Sequence, residues 1–223
     1  MKWIKSIIVA AAMAASVFGG EVVYVLMDAA DENFACQELL DSNVEQVKSF
    51  VAKKIHEGDV DRVIVGVFGK DSELVYAVGP ERRYAEGLRK KRFGENVRGA
   101  IHDVVEKIAP RYHRGIVDGK ERLYARDVYG ALEMVLDFIR ENGDESATVV
   151  VASSMIQGYN KKEVQAKLEK EPIQLPAGVK LVIFGKSFVC RDAASFKKRE
   201  AMKKTRKFWL EHIKGDVIYR QHY

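Results

Sequence analysis

Short apolar runs alternating with helically spaced stretches predict an α/β protein: a doubly wound, mostly parallel sheet with one antiparallel edge strand and helices on both faces. Two details shape that expectation. Val22–Met27, Val63–Phe68 and Val179–Phe184 are apolar at nearly every position, as strands covered on both faces must be. Gly69-Lys70-Asp71-Ser72, between Val63–Phe68 and Glu73–Val78, is short and turn-like, so these two runs form a hairpin whose second strand is the antiparallel edge.

The chain opens with a different kind of segment. Lys2 and Lys5 precede Ile7–Phe18, which is apolar except for Ser16, and Gly19-Gly20 follow. A basic start, an apolar middle and small residues at the exit make residues 1–20 a secretory signal peptide. Twelve helical residues reach about 18 Å, short of a hydrocarbon core of about 30 Å. Residues 21–223 then form a single domain, with enough chain for one sizeable core. The net charge of +5 includes Lys2 and Lys5, and what remains is too small to imply a nucleic-acid partner.

Within the domain, Ala35–Ile55 spaces Leu39, Leu40, Val44, Val47, Phe50, Val51 and Ile55 along one helical face. Val97 to Ile108 marks a second helix, ended by Pro110, and Asp127–Arg140 a third. Thr148–Ala152 is a strand, Lys161–Glu171 a polar surface helix, Ala194–Ile213 a long helix and Asp216–Tyr219 a last edge strand.

Most catalytic and ligand-binding patterns are missing from the sequence. His56, His102, His113, His212 and His222 have no paired ligand spacing. Ser153-Ser154 lacks the Gly-x-Ser-x-Gly elbow, and no glycine-rich phosphate loop follows a strand. The basic runs Arg89–Arg92, Lys197–Arg199 and Lys203–Lys207 adjoin Phe93, Phe196 and Phe208. A solvated charged face accounts for them, and binding of a polyanion such as DNA or lipopolysaccharide is the alternative. A thiol hydrolase using Cys190 as nucleophile and Asp28 as base is a second alternative. Cys36 and Cys190, in an exported chain, permit one disulfide or two buried free thiols.

In a doubly wound sheet, functional side chains collect at the carboxyl ends of the strands. Three segments fall there: Asp28-Ala29-Ala30-Asp31-Glu32, Arg126-Asp127-Val128-Tyr129-Gly130-Ala131-Leu132, and Ala152-Ser153-Ser154-Met155. Their order and spacing resemble the three metal-site segments of von Willebrand factor A domains, an Asp-x-Ser-x-Ser loop, a Thr-Asp-x-x-x-Ala-Leu helix start and a Ser-Asp strand end. The resemblance runs from Glu21 to the last helix. Matched position by position, Asp28 and Asp127 are retained, Ala30 and Glu32 stand for the two serines, Arg126 for the threonine and Ser154 for the later aspartate. Ala30 offers no oxygen, and Arg126 brings a permanent positive charge. A degenerate site with no cofactor and no divalent cation on Asp28 is therefore expected, with Arg126 neutralising Asp28 through a two-point hydrogen bond. Asp31, Glu32 and Asp127 are the alternative metal ligands. The resemblance further implies a non-catalytic binding or assembly module of the cell envelope, in the periplasm or secreted, that recognises a protein partner. The family's strand order leaves one strand between those that precede Cys36 and Cys190. That is about 10 Å at strand level, beyond disulfide reach unless the loop from Gly185 to Val189 folds inward.

Mature protein from the producing cell is expected to begin within a few residues of Gly20. N-terminal sequencing or intact-mass measurement checks this, and a membrane-bound product that keeps Met1 would refute it.

Overall fold

The computed structural model describes residues 20–29, 37–58, 60–81, 83–111, 115–117, 120–122, 126–158, 160–185 and 196–220. Ten strands are assigned in it: β1 (Glu21–Asp28), β2 (Val60–Phe68), β3 (Ser72–Val78), β4 (Gly115–Val117), β5 (Lys120–Arg122), β6 (Ala147–Ala152), β7 (Ile173–Gln174), β8 (Val179–Phe184), β9 (Ile213–Lys214) and β10 (Asp216–Arg220). The α-helices among the described residues are α1 (Gln37–Glu57), α2 (Glu86–Asp103), α3 (Val128–Asn142), α4 (Lys161–Lys170) and α5 (Phe196–His212).

Six strands make the central sheet in the order β10-β8-β6-β1-β2-β3. Every pairing is parallel except that of β2 with β3, which places the expected antiparallel strand at one edge. Val23, Val25 and Met27 of β1 project into one core with α1 and α2, whereas Val22, Tyr24 and Leu26 project into a second core with α3, α4 and α5. Burial on both faces is the physical reason these strands are uniformly apolar. In register, Asp28 lies beside Phe68, and Met27, Ala152, Phe184 and Arg220 follow one another across the sheet, so these strands end level. Among the described residues no helix is long and apolar enough to cross a membrane.

Helix boundaries follow local chemistry. Asp127 caps α3 by accepting a hydrogen bond from Gly130 N at 2.9 Å. Gly143 ends the same helix in the left-handed conformation at φ 66°, with Gly143 N bonded to Arg140 O and Asp144 N to Ile139 O. Gly178, at φ 80°, could not be any other residue, because a Cβ there would stand 2.0 Å from the Glu145 carbonyl oxygen.

Several elements differ from the sequence expectation. α2 begins at Glu86, well before the first apolar position used to place it, because it is held by only Phe93, Val97, Ala100 and Ile101 beneath a charged surface. It widens into a π-turn at Val104–Ile108 and a tight turn at Ala109–Arg111, where Pro110 lacks an amide hydrogen and stops the helix. The β4–β5 hairpin was not expected, although Asp118-Gly119 between its strands is a recognised hairpin pair. The two-residue bridge β7–β9 also escaped, and it takes Ile213 out of the last helix and into a strand.

The amino ends of the central strands hold a buried polar cluster. The Tyr24 hydroxyl, in a fully buried ring, donates to Asp144, and Arg62 Nη2 lies 3.2 Å from the other Asp144 oxygen. Burial first, and then the Asp144 bond and charge, push the Tyr24 phenol far above its ordinary range, so it stays a donor. Asp144→Ala is expected to cost about 1–3 kcal/mol by stranding that hydroxyl. Tyr24→Phe combined with Asp144→Ala should cost less than the two single changes added together, measured by urea denaturation. Strict additivity would show that the pair is not coupled.

Candidate functional site at the carboxyl ends of the central strands

The strand order reverses its direction of growth at β1, with β2 on one side and β6 on the other. Open α/β sheets form their ligand crevice at such a switch point, above the carboxyl ends. Asp28 closes β1 on one side of that point, and Ser153 and Ser154 follow β6 on the other. Arg126 arrives one residue before the cap of α3. Its own backbone is fixed by Gly158 N bonding Arg126 O at 2.9 Å, and the next residue by Asp127 N bonding Gly69 O at 2.7 Å. Three chain segments, distant in sequence, therefore meet over one point.

At that point Arg126 Nε stands 2.9 Å from Asp28 Oδ2, with the two side chains only 3% and 0% exposed. The distance is that of a close ion pair, although the N–H direction departs from hydrogen-bond alignment. Arg126 Nη1 donates to Ser154 Oγ at 2.7 Å and to Ile156 O at 3.4 Å. Ser153 Oγ donates to Asp28 Oδ2 at 2.5 Å and accepts from Met155 N at 2.9 Å. The geometry corrects one detail of the expected pairing. Nε and Nη1 do not both hold Asp28, because the guanidinium spans from the carboxylate to Ser154 and binds the two segments together.

The segment after β6 is built tightly around this pair. Met155 is fully buried and adopts φ 61°, a conformation that costs a residue with a Cβ about 1–2 kcal/mol. Its carbonyl accepts from the indole N–H of Trp209, itself buried on α5, at 2.6 Å. Gln157 Nε2 donates to Asp127 Oδ1 at 2.9 Å, and Gln157 Oε1 accepts from Tyr129 N at 3.1 Å. Sequence reasoning missed the roles of Ser153, Gln157 and Trp209. The sequence shows Ser153-Ser154 as a hydroxyl pair and Trp209 on the inward face of the last helix, but nothing in the local sequence marks Gln157 as a second cap for α3.

Of the residues expected at this site, Asp28, Arg126 and Ser154 converge, and Asp127 serves as helix cap beside them. Ala30, Asp31, Glu32, Cys36 and Cys190 lie outside the described residues, as do residues 1–19 of the expected signal peptide. The strand order does leave β6 between β1 and β8.

A divalent cation on Asp28 would meet the guanidinium already in place. A doubly charged ion about 4 Å from a unit positive charge is repelled by about 8 kcal/mol at an effective dielectric of 20. Among the described residues no group of three or more His, Cys, Asp or Glu side chains is arranged to hold a metal. The charge of Arg126, 2.9 Å from Asp28, thus opposes a divalent cation bound directly to that carboxylate.

No protein-family model and no curated protein matches the chain. It is similar to solved structures, among them the conserved hypothetical protein BatB from Bacteroides thetaiotaomicron, at 15% identity and TM-score 0.43 over 92% of each chain. An aerotolerance-related membrane protein from Bacteroides fragilis NCTC 9343 is similar at 12% identity and TM-score 0.45, over 90% of this chain and 92% of that one. The human COPII-coat protein Sec24c is similar at 9% identity and TM-score 0.43, over 92% of this chain and 30% of that one.

Arg126→Ala should destabilise the fold by about 3–5 kcal/mol, since it leaves a buried carboxylate without its counter-charge. Asp28→Asn keeps a polar group of the same shape and should cost clearly less. Chemical denaturation of both variants checks the ranking, and equal small losses would show that the pair carries no stability.

Proposed function

We propose that the chain is an exported, non-catalytic binding and assembly module of von Willebrand factor A type, whose metal position is taken over by Arg126. In this reading it recognises another protein of the cell envelope through the loops at the carboxyl ends of its strands. One observation carries the proposal: the chain's own Arg126–Asp28 pair is buried at the switch point. A guanidinium tethered there supplies the positive charge that a cation would otherwise bring, and it cannot dissociate. Asp28 also accepts from Ser153, which leaves it poorly placed to act as a base for a thiol nucleophile. Support for the family type comes from the topology, a parallel sheet with a single antiparallel edge strand, and from the three segments meeting where the resemblance puts them.

Partner recognition in this reading needs no metal. Millimolar magnesium or manganese is expected to leave the melting temperature unchanged, whereas a ligand at a hundred times its dissociation constant would add about 2.7 kcal/mol. The tagged protein should capture the same envelope protein in magnesium and in EDTA, and in moderate salt. Loss of that protein in EDTA, or a reproducible thermal shift with metal, would overturn the proposal. Capture of DNA alone, vanishing with modest salt, would favour the polyanion alternative.

A further inference from the structure

Among the described residues the two faces of the sheet are covered unequally. α3, α4 and α5 pack over one face, while on the other the described cover is α1, α2 and the turns that follow α2. α2 lies between α1 and the β3 edge. The opposite flank of α1 borders an open groove of about 720 Å³ over β8 and β10. Phe50 of α1 and Phe184 of β8 meet there edge to face, with ring centroids 5.5 Å apart. Arg220, ending β10, holds its guanidinium 4.9 Å from the Phe50 ring centre and 5.8 Å from that of Phe184.

The charges along this groove are not alike. Lys54 is held by Glu21 at 2.6 Å. Arg220 is exposed and, among the described residues, has aromatic rings but no carboxylate beside it. We infer that the groove seats an amphipathic helix of another protein, apolar toward Phe50 and Phe184 and carrying a carboxylate that meets Arg220. Length argues for a helix of about three turns, because the α1 residues along the groove run from Glu45 to Glu57, about 18 Å at 1.5 Å per residue. The layered architecture argues for a helix as well, since helices are what normally cover a parallel sheet. A uniformly apolar segment, such as residues 7–18 of this chain, would press hydrocarbon against Lys53 and Glu57, whereas an amphipathic helix leaves them in water. Charge complementarity supplies the carboxylate: an arginine over two aromatic rings is a cation already oriented, and a carboxylate is its natural partner. Such helix-in-groove docking is a common recognition mode. It uses the flank of the sheet, so it stands independently of the loops at the carboxyl ends.

The test uses the full chain and two fluorescently labelled synthetic helical peptides of about 14 residues. Both carry leucines at helical spacing along one face. One has glutamates in its first and last turns, and the other has lysines there. The acidic peptide should bind saturably by fluorescence anisotropy, and the lysine peptide at least about tenfold more weakly. Arg220→Glu, an exposed change, should reverse that preference. Ser49→Trp, also at an exposed position, should fill the groove and abolish binding, while Lys162→Glu on α4 over the opposite face should change nothing. Thermal melts confirm that each variant is folded. Equal affinity for the two peptides, an unchanged preference in Arg220→Glu, or no saturable binding would overturn the inference.

Discussion

Asp28 ends a strand whose preceding six residues are all buried, and its own side chain is fully buried as well. An isolated ionised carboxylate in that position would cost many kcal/mol, so the sheet tolerates it only beside a counter-charge. Arg126 provides one, and much of the local structure follows from holding it there. Its Nη1 takes Ser154 and the Ile156 carbonyl, which draws the chain after β6 over the crevice. That path forces Met155 into a left-handed conformation and turns its carbonyl toward Trp209, which anchors α5. Gln157 is then placed to bond Asp127 and Tyr129, so the same strap also fixes the start of α3. A single charge balance thus organises the joints between β1, β6, α3 and α5.

The opposite end of the sheet solves a similar problem with different consequences. There Glu21 is held by Lys54 and Thr148, and Asp144 by Tyr24 and Arg62, so the amino-terminal parts of β1, β2 and β6 and the last turn of α1 are tied by polar side chains. Lys54, Glu21 and Arg62 are each about a quarter exposed, so water shares in their solvation. Arg126 and Asp28 have no such relief, and breaking their contact exposes an uncompensated charge. That difference is why the carboxyl end behaves as one closed unit in the proposed function. In that proposal recognition falls to the loops at the carboxyl ends, and in the further inference to the groove beside α1.

Much of the fold is legible in the sequence because burial on both faces leaves a direct trace. Val22–Met27 and Val179–Phe184 read as covered strands from composition alone, and the short Gly69–Ser72 turn marks the antiparallel pairing at the edge of the central sheet. Asp127 and Gly143 announce the ends of α3 through capping chemistry that acts within a few residues. The first half of α2 is less visible, because Phe93 is its one buried residue, Leu88 is exposed, and a charged surface looks the same on a helix or a loop. β7 and β9 are two residues each and carry no periodicity to detect.

The sequence by itself determined the fold class, the positions of the main strands, and the presence of Asp28, Arg126 and Ser154 at ends of elements that could face one another. Those properties depend on hydrophobic periodicity and on local backbone chemistry. Only the tertiary structure decided that Arg126 divides its contacts between Asp28 and Ser154, that Ser153 and Gln157 complete the site, and that Arg220 stands over Phe50 and Phe184. Each of these joins residues from separate elements. Their partnership is set by strand order and packing angle, quantities that no local stretch of the chain encodes.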